Sequence, residues 1–72
     1  MLFNKRKQDD FDRHAEDVRK ALSEWQEAKR YFENVSDPDL VEYVVYQVEA
    51  ARRRYVLMLR RYAAEEAYFQ QE

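Results

Sequence analysis

Glycine is absent from this 72-residue chain and proline occurs only once. Because these two residues supply the tight turns that sheets, barrels and phosphate-binding loops need, their scarcity excludes most fold classes and favours helices. Apolar residues make up 46% of the chain and aromatic residues 15%, which is too apolar for a disordered chain. We therefore expect an all-α protein that reverses direction at its one proline, Pro38.

Cysteine is also absent, so neither a disulfide nor a thiolate metal site can support the fold. Below about 70–80 residues a single core seldom supplies more than a few kcal/mol, which makes self-association the expected remedy. The net charge of -2 gives no field that demands a nucleic acid or an anionic membrane as partner. The basic residues 5–7 follow a very short apolar piece, the reverse of a signal peptide, and no apolar run approaches the roughly 18 residues of a membrane span. We therefore expect a cytoplasmic protein.

The chain divides into a flexible basic N-terminus, residues 1–7, and one helical-hairpin domain, residues 8–72. A first helix over about 8–35 is predicted by a stripe of residues that recur at steps of three and four. This stripe consists of Phe11, Ala15, Val18, Leu22, Trp25, Lys29 and Phe32, with Ala21, Ala28 and Val35 along one shoulder. The helix thus has one apolar face and needs one neighbour.

A helix start is encoded around the single proline. Proline is favoured as the first residue of a helix but disfavours a helical conformation for the residue before it, which makes Asp37 the predicted N-cap of a helix beginning at Pro38. Asp39 adds favourable negative charge at the helix N-terminus. Ser36 with Asp39 offers a competing capping frame one residue earlier.

Residues 40–48, LVEYVVYQV, are rich in the β-branched and aromatic residues of strands. We nevertheless predict a helix over 38–70, because a capped start precedes them and the four-three alternation continues. One stripe contains Val41, Val45, Val48, Arg52, Tyr55, Leu59, Tyr62, Glu66 and Phe69, with Leu40, Val44, Ala51 and Met58 beside it. A second, nearly opposite stripe contains Tyr43, Tyr46, Ala50, Arg53, Leu57, Arg60, Ala64 and Ala67.

The second helix is therefore apolar over more than one face, and the first helix cannot cover all of it. A short turn makes the helices antiparallel neighbours, with Trp25 near Val48 and Phe11 near Tyr62. The uncovered side predicts an isologous dimer and a four-helix bundle with the second helices at its centre. The candidate oligomer interface is Tyr43, Tyr46, Ala50 and Leu57. The alternative is that the two tyrosines are partly exposed with their hydroxyls in water.

Two charged residues, Lys29 and Arg52, interrupt the predicted stripes. A polar residue at such a position commonly fixes register or oligomeric state. The hairpin register brings Lys29 within reach of Glu42, and Arg52 within reach of Glu24 or Asp17. The alternative is that each side chain extends along its own helix to solvent.

Few residues favour catalysis. His14 is the only histidine, and no glycine-rich loop can hold a phosphate. Asp10 and Asp17 lie four residues before and three after His14, a spacing that can place three ligands on one helix face. A lone histidine beside acids is far more often solvated, as is the Glu65-Glu66 pair. We expect no enzyme activity, no metal and no cofactor.

A basic cluster suggests the second functional hypothesis. Its members are Arg52, Arg53, Arg54, Arg60 and Arg61, interleaved with tyrosines. Such a pattern is typical of a nucleic-acid contact, to which the basic N-terminus can add. The alternative, which we favour, is that Glu16, Asp17 and Glu24 of the first helix neutralise the cluster.

Several of these residues carry a family resemblance. They are Ala21-Leu22, Trp25, Ala28, Phe32, Val35, Asp37-Pro38, Leu40-Val41, Val44, Tyr46, Glu49-Ala50-Ala51, Arg54-Tyr55 and Leu59. In this pattern, about residues 15–62, the chain resembles the YaaL-like family of short bacterial proteins. The resemblance implies a small cytoplasmic bacterial protein with no assigned activity and no cofactor or catalytic residues. Together these observations predict a non-enzymatic helical protein-interaction module of unknown partner that self-associates through its second helix.

Overall fold

Two long helices form the whole of the described fold. In a computed structural model, α1 (Leu2–Asn34) and α2 (Pro38–Gln70) lie antiparallel and are joined by residues 35–37. The structure describes the backbone of residues 2–70 and the side chains of residues 9–67. The hairpin measures 56 × 14 × 12 Å, and no strand occurs within the described residues. The prediction of an all-α two-helix hairpin is confirmed, including a helix over the strand-like stretch 40–48.

The first helix begins earlier than predicted. It starts at Leu2 and not near residue 8, because residues 2–8 contain no helix breaker and include several good helix formers. The side chains of the basic segment 1–7 lie outside the described residues, as does that of Phe69. The predicted flexibility of segment 1–7 therefore stays a prediction.

The chain reverses over three residues without a positive φ angle anywhere in the described backbone, so the turn does not require glycine. The amide group of Asp39 donates a hydrogen bond of 2.9 Å to Oδ1 of Asp37. The amide of Leu40 also donates to the Asp37 carbonyl. Asp37, rather than Ser36, is thus the N-cap of α2. At the end of α1, the side-chain amide of Asn34 donates to the carbonyl of Arg30 at 2.8 Å.

The contact between the helices is rotated from its predicted position. Ala21 and Val44 are the two buried apolar residues among those described, with 1% and 0% of their surface exposed. Both lie on the shoulder of a predicted stripe. The facing stripes consist of Phe11, His14, Val18, Ala21, Trp25 and Ala28 on α1 and of Val41, Val44, Val48, Ala51, Tyr55, Met58 and Tyr62 on α2.

The same rotation exposes several residues that we predicted to lie in the contact, namely Lys29, Phe32, Val45, Arg52 and Leu59. On each helix the four-three spacing fits two neighbouring stripes, one formed mainly by large residues and one that includes the alanines. The second places small side chains between the helices and lets their backbones approach closely. Lys29 and Arg52 therefore do not interrupt the core; both are exposed, as the alternative predicted.

Two aromatic pairs link the helices. The ring centroids of Phe11 and Tyr62 lie 5.1 Å apart, as the predicted register requires. The predicted position of Trp25 near Val48 stays a prediction. The ring centroids of Trp25 and Tyr55 lie 5.5 Å apart. Side chains on a helix lean toward its N-terminus, so in an antiparallel pair these two rings lean toward each other and meet between the levels of their α-carbons.

Within the described residues neither helix contains an apolar stretch long enough to cross a lipid bilayer.

Candidate interaction surface

The outer face of α2 is the side turned away from α1. It consists of Tyr43, Tyr46, Ala50, Arg53, Leu57 and Arg60, all of which are exposed. Tyr46 is 67% exposed, Tyr43 58% and Leu57 43%. The four residues of the predicted oligomer interface therefore lie together on a surface that α1 does not cover.

One of the two tyrosines is held by its own helix. The side-chain amide of Gln47 donates a hydrogen bond of 3.0 Å to the hydroxyl of Tyr43. This i, i+4 contact orients the ring along the helix surface, because residues four apart are neighbours on a helix. The Tyr43 ring is thus exposed on the surface with its hydroxyl beside Gln47.

An open groove of about 680 Å³ borders the outer face, between the two helices. Tyr31 of α1 and Tyr43 and Ala50 of α2 supply part of its wall. An ion pair between Nη1 of Arg54 and Oε2 of Glu24, 3.3 Å long, joins the helices in the same wall. The groove combines an aromatic surface with a polar border, which is the usual anatomy of a protein interface.

Sequence reasoning missed Tyr31, which is 53% exposed and extends the aromatic surface from α2 onto α1. Tyr31 lies seven residues after Glu24, and this spacing, which places both residues on one face of a helix, is the sequence feature that could have identified it. On the opposite flank of the hairpin, Phe32 and Val45 are 42% and 46% exposed. That flank has fewer large exposed residues than the outer face and its groove.

The basic cluster is partly neutralised within α2 itself. Arg52 pairs with Glu49, three residues before it, with Nη2 at 2.6 Å from Oε1. Arg53 contacts the same oxygen at 3.4 Å, and 76% of its side chain is exposed. Arg52 therefore pairs within α2 and does not contact Glu24 or Asp17 of α1, the partners that the predicted register offered.

The first helix neutralises one member of the cluster, since Glu24 pairs with Arg54. Asp17, which we also expected to face the cluster, has no ion pair within the described residues. The same is true of Arg60 and Arg61. The predicted neutralisation thus covers only part of the cluster and leaves its C-terminal end charged.

Ion pairs shift the pKa values of several groups. A hydrogen bond from Arg52 lowers the pKa of the Glu49 carboxyl, and the charges of Arg52 and Arg53 act in the same direction. The same contact raises the pKa of Arg52. Glu16, predicted to face the basic cluster, pairs instead with Arg19 at 2.7 Å, and this hydrogen bond lowers the pKa of Glu16. Both carboxylates are thus bound to arginines of their own helices.

Lys29 contacts an aromatic ring and not Glu42. Its Nζ atom lies 4.2 Å from the centroid of the Trp25 ring, a distance suited to a cation–π interaction. The indole Nε1 of Trp25 is buried and has no hydrogen-bond partner within the described residues. Lys29 therefore covers an indole ring at the edge of the helix contact.

His14 lies between the helices and not in a ligand set. Its Nε2 atom is 4.0 Å from Oε2 of Glu65, and its buried Nδ1 has no partner within the described residues. Asp10 pairs with Arg13 at 2.9 Å. Glu65 is half-buried against α1, so the prediction of a solvated Glu65-Glu66 pair is wrong for this residue. No group of three potential metal ligands occurs among the described residues.

A family model described as "Protein of unknown function (DUF2508)" matches residues 2–63, which include the turn and most of both helices. The chain belongs to this family. YaaL-like is a known name of the DUF2508 family, so the predicted resemblance is confirmed. Comparison with curated proteins and with solved structures gives no match. Membership of the DUF2508 family assigns no activity.

Proposed function

We propose that this DUF2508 protein is a non-enzymatic, cytoplasmic interaction module that self-associates through the outer face of α2 to form a four-helix bundle. The observation that carries the proposal is the exposure of Tyr43, Tyr46 and Leu57 on one side of a helix. A surface on which exposed aromatic and apolar side chains lie beside arginines is typical of a protein interface.

The surface area of the hairpin supports the same conclusion. The chain exposes 5922 Å². A compact monomer of 8.9 kDa would expose about 4,800 Å², so the hairpin carries roughly 1,100 Å² in excess. A standard interface buries about 800 Å² per partner. One isologous contact of standard size would thus remove most of the excess.

Size-exclusion chromatography with light scattering tests self-association. We expect a mass near twice 8.9 kDa, and a lower mass for Tyr46→Glu or Leu57→Glu, because each buries a charge in the interface. Gln26→Glu adds the same charge at an exposed site of α1 and should leave the mass unchanged. A wild-type monomer at all concentrations, with unchanged stability in both variants, would contradict the proposal.

The unpaired end of the basic cluster supports a second candidate, a small nucleic-acid-associated protein. Arg60 and Arg61 have no ion pair within the described residues and are exposed. Binding to a short labelled DNA should then weaken steeply with salt and in an Arg60→Ala/Arg61→Ala variant. Arg13→Ala/Arg19→Ala removes two paired arginines of α1 and serves as the control. Absence of binding by micromolar protein at about 50 mM salt would eliminate this candidate.

A further inference from the structure

We propose that the partner of the outer face is a second copy of this chain, with the two α2 helices antiparallel and the twofold axis level with Ala51. In this arrangement Glu42 lies beside the partner's Arg60, and Glu49 beside the partner's Arg53. The inference rests on the proposed self-association and adds its direction and register.

The charges of α2 are segregated along its length. Residues 38–51 contain three acidic side chains and no basic one, whereas residues 52–61 contain five basic side chains and no acidic one. A parallel pair of α2 helices would place acid beside acid and base beside base. An antiparallel pair places each acidic half beside a basic half, so electrostatics select this direction.

The positions of individual charges fix the register. Glu42 and Arg60 lie nine residues to either side of Ala51, and Glu49 and Arg53 lie two residues to either side. An axis at the level of Ala51 therefore satisfies both pairs at once, and symmetry repeats each pair. Shifting the helices by one turn in either direction separates both pairs.

The same register aligns the apolar residues of the outer face. Tyr46 lies five residues before Ala51, and Val56 and Leu57 lie five and six residues after it. The ring of Tyr46 therefore packs over the partner's Leu57. Ala50, beside the axis, provides the small side chain that lets two helices approach closely at their centre.

Two of these charged groups are free for the contact, whereas Glu49 is already shared by Arg52 and Arg53 of its own helix. Glu42 and Arg60 are exposed, and neither has an ion pair within the described residues. Arg53 is held only by its 3.4 Å contact with Glu49. Flanking ion pairs of this kind contribute little affinity, but they determine which orientation and register a helical pair adopts.

Charge reversal tests the register. We expect Glu42→Arg or Arg60→Glu alone to weaken dimerisation at least about tenfold, since symmetry turns each substitution into two like-charged contacts. The double variant Glu42→Arg/Arg60→Glu should restore wild-type affinity. An equimolar mixture of the two single variants should form a heterodimer, because both of its contacts are then oppositely charged. Sedimentation equilibrium measures each dissociation constant, and circular dichroism checks that every variant is helical.

Cross-linking gives an independent test in this cysteine-free chain. Oxidation of Tyr46→Cys/Leu57→Cys should yield a covalent dimer. Tyr46→Cys alone should not, because in the antiparallel register its two copies are ten residues, about 15 Å, apart along the axis, too far for a disulfide. In a parallel pair the two copies of residue 46 would face each other, so Tyr46→Cys alone would also yield a covalent dimer.

The results of these experiments distinguish failure of the antiparallel register from failure of self-association itself. Dimers that ignore both charge reversals, or that cross-link through Tyr46→Cys alone, overturn the antiparallel register but leave self-association intact. A wild-type monomer at all concentrations overturns both and assigns the outer face to a different protein. Loss of affinity in each single variant, with recovery in the double variant and in the mixture, supports the inference.

Discussion

Val44 and Val45 are adjacent in sequence but differ in burial, and replacing each by alanine tests where α2 contacts α1. Val44 is fully buried, whereas Val45 is 46% exposed. Val44→Ala removes two buried carbon atoms, a loss of about 1.6 kcal/mol at roughly 0.8 kcal/mol each. The cavity left behind adds ~1 kcal/mol, and the better helix propensity of alanine returns ~0.5 kcal/mol. We expect a net loss of about 2 kcal/mol.

Val45→Ala makes the same chemical change at a half-exposed site. It should lose about half of the transfer free energy, ~0.8 kcal/mol, and the better helix propensity of alanine should return the same ~0.5 kcal/mol. Urea unfolding followed by far-UV circular dichroism measures both values, at one protein concentration because self-association makes stability concentration-dependent. If Val45→Ala destabilises the protein as much as Val44→Ala, the contact runs through Val45 and the rotation described above is wrong.

Two further predictions concern single polar groups. Asp37→Ala should cost about 1 kcal/mol of unfolding free energy by removing the N-cap bond to Asp39, whereas Ser36→Ala should cost little; urea unfolding distinguishes them. The lowered pKa of Glu49 stabilises the fold above its unfolded value of about 4.5, and this contribution disappears as pH falls through the lower folded pKa. Urea midpoints between about pH 3 and 6 should therefore change less with pH in Glu49→Gln than in wild type or in the control Glu27→Gln. An identical pH dependence in all three proteins would contradict this reasoning.

The hairpin itself was predictable because its signals are local. One proline preceded by an aspartate specifies where α2 begins, and absence of glycine leaves no second place for the chain to reverse. The four-three spacing then persists through residues 40–48 despite their strand-like composition. The positions of the two helices and their antiparallel direction therefore follow from local features of the sequence.

The rotation of the helix contact was not predictable in the same way. Val44 and Val45 fit the heptad pattern equally well, and the choice between them depends on what α1 presents opposite. Ala21 supplies a small surface, so close approach favours the stripe that includes the alanines. The contact of His14 with Glu65 follows from this rotation, since it turns both residues toward the neighbouring helix.

The narrow contact also explains why the outer face remains uncovered. Alanines on α1 let the backbones approach, but they cannot extend around α2 to reach Tyr46 or Leu57, which lie on its far side. Larger side chains on α1 would bury no more of that far side, because a helix packed against one side of α2 cannot reach the opposite side. In the proposed dimer, the second copy covers it. The segregated charges on the same helix give a copy of the chain one orientation in which to do so.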